Sequence, residues 1–492
     1  MRGFQFWKIS FFLVSGFAVR LTSAQVAVTT FHNDNARTGA NIHESILAPA
    51  NVNSSSFGKK YSFPVDGQVY AQPLYVPGLT INGGTHNVVF VATEHDSVYA
   101  FDADGKQSAP FWHSSFINPS AGITPAISSA GPEGVSPEIG VTGTPVIDLT
   151  TGTLYAVAMT NENGNNKFRL HALDITTGAE RPNSPALIQP SVQGSGADSV
   201  NGTVTINSGC LQRTGLALSG NTVVSAFGSC SHGWVVGNDK TSLAQTAVFN
   251  PTPNGKGAGI WMGGGAPAID SNGFMYLITG ADADSTPGGG SNPDYNNTFL
   301  EFNPSMSLVD FFTPSNNATL IANDADLGSG GPIIMPDNSS FHPREMIGAG
   351  KDGRIFVIDR DALGGFNNPD RAIQEIQAGN SPSDNFFDTP AFWNGNVYFH
   401  AEQGVLQQFS WSNGTLSSSP ASSGSTIFGI HGATPAISAN GTNNAILWEL
   451  QVDQAPNKGP AILHAYDASN VGIELYNSEQ NSARDRPRSR VT

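Results

Sequence analysis

The feature that most constrains this chain is a loose repeat of about 60 residues that occurs seven times. Each copy contains an apolar run, a polar break and a second apolar run, as in VVFVATEHDSVYAFDADGK at residues 88–106. Each copy follows a block of small residues and proline, from AQPLYV, which contains Pro73, to ATPAIS, which contains Pro435. Repeats of this length indicate an architecture built from one supersecondary unit used many times.

The internal pattern of the repeat predicts β-strands. Asn-Gly turns, such as Asn272-Gly273 and Asn394-Gly395, separate runs that are rich in β-branched and aromatic residues. Four antiparallel strands at this period form one blade of a β-propeller, whereas a β-solenoid has a shorter period and sandwich domains need independent cores. We therefore predict an all-β fold, a β-propeller of seven to eight four-stranded blades.

The propeller arrangement also predicts where function resides. In each blade, the hairpin loop between the second and third strands emerges on the same face as the entry link into the next blade. The apolar runs are similar from copy to copy, whereas the polar breaks differ. We expect this loop face to bind a small molecule or a glycan.

The two ends of the chain differ from the repeats. A basic start, an apolar run at 9–19 and small residues before Gln25 predict a signal peptide at 1–24, with a buried N-terminal strand or helix as the alternative. A single propeller domain is expected at 25–480, followed by a basic, disordered tail at 481–492. The protein is therefore expected to be secreted and monomeric.

Charge and sequons restrict the partners. The formal net charge of -16 argues against nucleic acid and anionic membranes as partners. Seven N-x-S/T triplets are consistent with a secreted glycoprotein. The predicted glycosylation sites are Asn53, Asn201, Asn296, Asn317, Asn338, Asn413 and Asn440.

The chain has only two cysteines, Cys210 and Cys230. They are equidistant from Gly220, so an antiparallel hairpin centred on this glycine would place them opposite each other. Cross-strand placement fits the short Cβ separation that a disulfide needs. We predict this disulfide; a pair of reactive thiols is the alternative.

The repeat endings VYAFDADGK, LHALDITTGAE and IFVIDRDALGG resemble the PQQ-type repeat of the quinoprotein alcohol dehydrogenase-like superfamily. The phrases FHNDNARTGAN, GVTGTPVID, GGGAPAIDSNG and DLGSGGPIIMPD extend the resemblance to secreted PQQ-repeat-like propeller proteins over residues 31–485. The resemblance implies an eight-bladed propeller. In members that are dehydrogenases, it also implies a quinone, a metal and a substrate at the centre of one face, so PQQ and Ca²⁺ are the expected cofactors.

This sequence departs from the family pattern in two ways. Relatives continue beyond the ARD that ends at Asp485 into another strand block, whereas this chain ends in RPRSRVT, so an incomplete closing blade is expected. Quinoprotein alcohol dehydrogenases also carry a vicinal Cys-Cys pair and a recognisable set of calcium ligands, and this sequence contains neither as a linear motif. Fold alone does not establish activity.

The hairpin loops and entry links supply the candidate site residues for an oxidoreductase acting on an alcohol or sugar. A quinone with carboxylates needs cations and a flat surface, a metal needs oxygen ligands, and the alcohol proton needs a base. The candidate cofactor-binding residues are Lys351, Trp261, His95, His232 and His431. The candidate catalytic bases are Asp96, Asp282 and Asp326. The candidate metal ligands are Asp282, Asp326 and Glu402.

Structural roles and other functions compete with these assignments. The two Asp-Ala-Asp triplets can be turns that bond their own backbone, and Trp261 can be a packing residue between blades. A lyase or hydrolase using His95, His232 and His431 is one alternative function. A non-catalytic module that binds a glycan, a metabolite or a protein is the other.

Overall fold

The computed structural model describes residues 25–128, 134–281, 294–379, 385–454 and 459–486. The predicted signal peptide, residues 487–492 and Asp282 lie outside this part of the chain. The described residues form a β-propeller of seven blades, which confirms the predicted all-β class. None of the helices in this described part is long and apolar enough to cross a membrane.

The first four blades follow the repeats in order. Blade 1 comprises Leu74–Ile81, Gly84–Thr93, Ser97–Asp102 and Trp112–Ser115. Blade 2 comprises Val146–Asp148, Thr153–Glu162, Asn165–Asp174 and Ala186–Ile188, extended by Ile123–Ile127 and Glu138–Ile139. Blade 3 comprises Ala217–Ser219, Thr222–Phe227, Trp234–Asp239 and Gln245–Phe249. Blade 4 comprises Ala268–Ile269, Met275–Ile278, Phe299–Phe302 and Leu308–Thr313, edged by Gly365–Phe366.

The last three blades complete the ring. Blade 5 comprises Ile333–Ile334, Glu345–Ala349, Arg354–Asp359 and Gln374–Gln377. Blade 6 comprises Ala391–Trp393, Asn396–His400, Val405–Ser412 and Ser422–Ile427, with Thr415–Leu416 at its edge. Blade 7 comprises Ala436–Asn440, Asn443–Gln451, Ile462–Asp467 and Glu474–Asn477, with Ala40–Asn41 parallel to its first strand.

The remaining elements are short. A separate hairpin pairs Ser191–Gln193 with Thr203–Thr205. The α-helices are Asn317–Ala322 and Ser482–Asp485. In the described part of the chain, the 3₁₀ helices are Pro119–Ala121, Met262–Gly264, Leu327–Ser329 and Ser478–Asn481.

The hydrophobic core is divided among the blade interfaces. Six buried clusters each join two consecutive blades, from blades 1 and 2 to blades 6 and 7. A seventh cluster joins blade 7 to the irregular segment 47–57 through Val52, Phe57 and Tyr476. The outer face of blade 1 is covered by Phe63, whose ring stacks 4.7 Å from that of Phe101. The segment between residues 42 and 63 therefore fills the space between the last and first blades.

The described residues form seven blades, which corrects the eight-bladed ring that the resemblance implies. Blade 7 has all four strands, and the coil that follows Ile42 takes the place of an eighth blade. The Arg484 side chain donates hydrogen bonds to the carbonyls of Ser54 and Phe57, at 3.2 and 2.5 Å. Arg484 lies in the segment predicted as a disordered tail, so ordered structure extends past residue 480.

Residues 28–41 run around the inside of the ring and bond to the innermost strands. The backbone of Val28 pairs with that of Tyr75 in blade 1, at 2.8 Å in both directions. Five later carbonyls each accept one hydrogen bond from an innermost strand: Thr29 from Ile147, Asn35 from Ile269, Ala36 from Ile334, Thr38 from Phe392 and Gly39 from Ile437. The segment thus satisfies backbone groups on the axial edges of these strands, which would otherwise be unpaired.

Arg37 anchors this segment in the centre. Its side chain is fully buried and donates two hydrogen bonds to the Pro267 carbonyl, at 3.0 and 2.8 Å. It also donates to the Thr30 hydroxyl and to the carbonyls of Phe31 and Asp34, at 2.7, 2.9 and 3.0 Å. The segment FHNDNARTGAN therefore connects several blades through hydrogen bonds at the centre of the propeller.

The predicted disulfide is present. Cys210 and Cys230 are bonded, with their Cα atoms 4.4 Å apart. They lie beside the bridge between Leu211 and Gly228, beyond the hairpin that begins blade 3. The disulfide therefore closes the hairpin that the sequence predicted around Gly220.

Removing this disulfide should lower stability by about 3 kcal/mol, because the unfolded chain regains the freedom of a 20-residue loop. The double variant Cys210→Ser/Cys230→Ser tests this in guanidinium denaturation. Dithiothreitol should lower the midpoint of the unmodified protein and leave that of the variant unchanged. Equal midpoints for the variant and for the unmodified protein without dithiothreitol would contradict the prediction.

Two of the predicted glycosylation sites are wrong, because their side chains are buried. Asn296 is 0% exposed and Asn317 is 1% exposed. Asn317 Oδ1 accepts a hydrogen bond from Asn297 at 3.0 Å. A glycan on either side chain has no path to solvent in the folded protein. The partly or fully exposed sequons are Asn53, Asn201, Asn338, Asn413 and Asn440.

Candidate functional site

A cavity of about 360 Å³ opens on the loop face of the propeller. Its walls come from the entry links into blades 3 to 7 and from the hairpin loops of blades 5 and 7. The lining includes Arg213, Trp261, Gly263, Asp326, Ser329, Lys351, Phe387, His431, Leu450 and Val452. Four predicted site residues, Trp261, Asp326, Lys351 and His431, therefore meet in one cavity.

A buried ion pair lies at the base of the cavity. Lys351 Nζ is 2.5 Å from Asp326 Oδ2, and the Asp326 side chain is only 6% exposed. Asp326 Oδ1 accepts a hydrogen bond from the Ala281 amide at 2.6 Å, and Lys351 also donates to the Asp324 carbonyl at 3.3 Å. Burial raises the pKa of Asp326, although the Lys351 ammonium opposes the rise. The pair therefore holds a fixed carboxyl group that can exchange a proton closer to neutral pH than an exposed one.

Trp261 forms one wall next to a glycine turn. Gly263 has a φ of 58°, and a Cβ there would clash with the Phe387 carbonyl, so only glycine allows blades 4 and 6 to approach here. The buried Trp261 Nε1 has no hydrogen-bond partner in the described structure. A Cβ at Gly280 would lie 2.6 Å from that nitrogen, so the indole edge packs against Gly280 while the side chain lines the cavity.

His431 and Phe387 form a second wall of the cavity. Their rings meet edge to face, with centroids 4.6 Å apart. Glu402 does not line the cavity; its Oε1 accepts a hydrogen bond from the His431 amide at 3.3 Å. Its Oε2 accepts a bond from the Asn385 side chain, also at 3.3 Å. Glu402 therefore supports the wall from behind.

A cluster of buried ionisable groups packs under this wall. Asp388, His400 and Glu449 are each at most 2% exposed. Asp388 Oδ2 accepts a hydrogen bond from the His400 amide at 3.1 Å, and His400 Nδ1 is 3.0 Å from Glu449 Oε2. Burial raises the pKa of Asp388 to about 7. Burial lowers the pKa of His400, but the Glu449 carboxylate outweighs it and the net change is upward.

These shifts predict that the protein is more stable at pH 5 than at pH 8. Both groups bind protons more tightly in the folded state, so their contribution is largest at low pH. The contribution of Asp388 to stability is lost as the pH rises from about 4 to about 7. The contribution of His400 is lost as the pH rises through its raised pKa. Thermal unfolding between pH 5 and 8 measures the slope.

Asp388→Asn is the matched control, because it keeps an acceptor for the His400 amide and removes one titrating group. Its stability should change less with pH than that of the unmodified protein. A melting temperature that rises from pH 5 to pH 8 would contradict this prediction.

The structure does not place the remaining described candidates in the cavity lining. His95 Nδ1 is 2.7 Å from Glu138 Oε2. The ring nitrogens of His232 lie 3.1 Å from the Thr252 hydroxyl and 2.6 Å from the Ala197 carbonyl. The three candidate histidines therefore have different partners, and only His431 lines the cavity, which does not favour a lyase or hydrolase built on all three.

Asp96 is also separate from the cavity. It is fully buried in the hairpin loop of blade 1, and neither carboxylate oxygen has a hydrogen-bond partner among the described residues. Burial, reinforced by the negative charge of Glu94, raises its pKa well above the ordinary value. The structure gives Asp96 no contact with the Asp326–Lys351 pair.

Sequence reasoning missed Arg213, Leu450 and Val452. Arg213 is the first residue of the RTGLAL block and lies four residues before the first strand of blade 3, whereas Trp261 lies seven residues before that of blade 4. The block has the pattern of a strand, and a single arginine at its start does not indicate a site. Leu450 and Val452 have no polar atom in their side chains and gave no chemical signal.

The lining fits an anionic aromatic group better than a metal ion. Arg213 and Lys351 supply two cations beside the Trp261 side chain, and the Arg213 guanidinium, which has no hydrogen-bond or ion-pair partner among the described residues, can meet a carboxylate. Among the described residues, no group of three or more His, Cys, Asp or Glu side chains could hold a metal ion. The metal roles of Asp326 and Glu402 stay predictions, and Asp282 lies outside the described residues.

No protein-family profile and no curated protein sequence matches this chain. Solved structures do match its fold. The quinohemoprotein alcohol dehydrogenase from Comamonas testosteroni has a TM-score of 0.60 at 16% identity, covering 93% of this chain and 74% of that one. A quinohemoprotein alcohol dehydrogenase from Pseudomonas putida HK5 has a TM-score of 0.57 at 13% identity, covering 92% and 72%. A europium-containing methanol dehydrogenase has a TM-score of 0.54 at 13% identity, covering 92% and 85%.

Proposed function

We propose that this chain, which has the propeller fold of quinoprotein alcohol dehydrogenases, is an oxidoreductase that oxidises an alcohol in the loop-face cavity with PQQ as electron acceptor. The observation that carries the proposal is the buried Asp326–Lys351 pair, which lies in one cavity with Trp261 and Arg213. A fixed carboxyl can accept the proton of an alcohol, and a cation beside an aromatic side chain can hold a flat quinone that carries carboxylates.

Each lining residue has a separate task in the proposed reaction. When bound, the quinone supplies the acceptor for two electrons and for the hydrogen on the alcohol carbon. Asp326 accepts the hydroxyl proton, because its carboxyl is held by the Ala281 amide and by Lys351. Lys351 orients that carboxyl and compensates its charge. Trp261 and Phe387 exclude water from the reacting groups.

Reconstitution tests the proposal. The full-length protein is incubated with PQQ and Ca²⁺, freed of unbound quinone, and assayed for quinone absorbance and for dye reduction with alcohols. One quinone per chain and alcohol-dependent dye reduction are the expected results. No quinone binding at micromolar concentration would remove the proposal. Binding without dye reduction would favour the non-catalytic binding module instead.

A further inference from the structure

The two cations of the cavity are in different situations. Lys351 is paired with Asp326 at 2.5 Å and with the Asp324 carbonyl at 3.3 Å. The Arg213 guanidinium makes no hydrogen bond or ion pair with any residue in the described part of the chain. Burial lowers its pKa, and interactions with Tyr70 and Glu94 oppose this change. Arg213 therefore presents unused donors to the cavity.

The other side of the cavity is apolar. Phe387, Leu450 and Val452 line it beside Ala433. Leu450 is 41% exposed, and the neighbouring Ile427 is 58% exposed on the same face. Asp326 and Ser329, in contrast, are at most 4% exposed and form the base. A molecule entering the cavity thus passes an apolar rim before it reaches the charged groups.

We infer that the substrate is a hydroxy acid with an apolar body, whose carboxylate binds Arg213. This inference rests on the proposed oxidation of an alcohol in the cavity. The carboxylate would form charge-assisted hydrogen bonds with the guanidinium, and the apolar body would contact Phe387, Leu450 and Val452. A neutral sugar would leave Arg213 without a partner and would place hydroxyl groups against apolar side chains, which costs free energy. Arg213 and Leu450 are then residues that determine specificity.

Oxidation of such a substrate uses the same proton and hydride transfers as the proposed alcohol oxidation. The CH–OH group becomes a carbonyl, the hydroxyl proton goes to Asp326, and the carbon-bound hydrogen with its electron pair goes to the quinone. The carboxylate on Arg213 is unchanged. The product is therefore an oxo acid of the same carbon skeleton.

Binding to the cofactor-free, full-length protein tests the inference without relying on activity. Titration calorimetry compares 4-(hydroxymethyl)benzoate, benzyl alcohol and glucose. The acid should bind more tightly than the alcohol, and glucose should not bind. Arg213→Met should weaken binding of the acid by roughly 10- to 100-fold and leave benzyl alcohol unchanged. Arg181→Met, which removes an arginine outside the cavity lining, is the control and should change neither.

A second variant, at the apolar rim, keeps the inference testable if Arg213→Met does not fold. Leu450→Asn changes a partly exposed rim residue and should weaken the acid and benzyl alcohol alike, by about 5-fold. No binding of the acid at millimolar concentration would overturn the inference. Equal affinity for the acid in Arg213→Met and in the unmodified protein would overturn it as well.

Two further arms separate the possible failures. If Arg213→Met weakens PQQ and leaves 4-(hydroxymethyl)benzoate unchanged, the carboxylate on Arg213 belongs to the cofactor, and the substrate inference is overturned. If the PQQ-loaded protein oxidises benzyl alcohol and the acid equally well, the oxidoreductase function stands and the inference fails. If the acid binds through Arg213 but is not oxidised, the inference about the ligand stands and the proposed function fails.

Discussion

Asp326→Asn is expected to reduce alcohol-dependent dye reduction by the PQQ-loaded protein by roughly 10²- to 10⁴-fold, the range typical of a lost general base. The amide keeps an oxygen for the Ala281 hydrogen bond but cannot accept the alcohol proton. Lys351 would lose its 2.5 Å carboxylate partner. Steady-state kinetics should place the loss in kcat, because the substrate contacts on Arg213 and the apolar rim remain.

Asp324→Asn is the matched control for this variant. Asp324 lies 3.8 Å from Lys351 and its side chain is 89% exposed, so the substitution removes the same charge near the same lysine. It should leave kcat within about 2-fold of the unmodified protein, because an exposed pair contributes little. Equal losses of activity in the two variants would contradict the role assigned to Asp326.

Arg37→Met is expected to lower the free energy of unfolding by about 3 kcal/mol or more, the largest stability effect that the structure predicts. The substitution removes five hydrogen bonds and leaves the carbonyls of Pro267, Phe31 and Asp34 with fewer donors in a buried site. Because Arg37 joins the N-terminal segment to blade 4, the variant should also loosen that segment. Urea denaturation measures the stability, and hydrogen exchange of residues 28–41 measures the loosening.

Lys106→Met serves as the control for Arg37. Its side chain is 69% exposed and pairs with Asp104, two residues away, so the change should leave the urea midpoint close to that of the unmodified protein. If Arg37→Met unfolds at the same urea concentration as this control, then the N-terminal segment does not hold the ring together.

The sequence predicted the blades well because each blade is a local unit. Strand patterns, Asn-Gly turns and small-residue blocks recur at a fixed period, so seven units could be recognised without distant contacts. The same periodicity assigned Trp261, Asp326, Lys351 and His431 to the loop face, where they share a cavity. The disulfide followed from symmetry about a single turn.

The parts that the sequence did not predict depend on distant contacts without a periodic pattern. The irregular segment 42–63 replaces an eighth blade through single aromatic contacts such as Phe57 on Tyr476 and Phe63 on Phe101. The segment at 28–41 bonds to the innermost strands through its backbone, and the buried role of the Arg37 side chain depends on the carbonyl of Pro267, 230 residues away in the sequence. Likewise, His95 turns toward Glu138 because of the loop conformation, not its position in the repeat.

A crystal structure of the protein soaked with PQQ and Ca²⁺ tests the central claim most directly. If the loop-face cavity is the site of a quinone oxidoreductase, the quinone should occupy it, with electron density beside Trp261 and contacts to Lys351. Density at another surface, or an empty cavity in crystals saturated with quinone, would contradict the account.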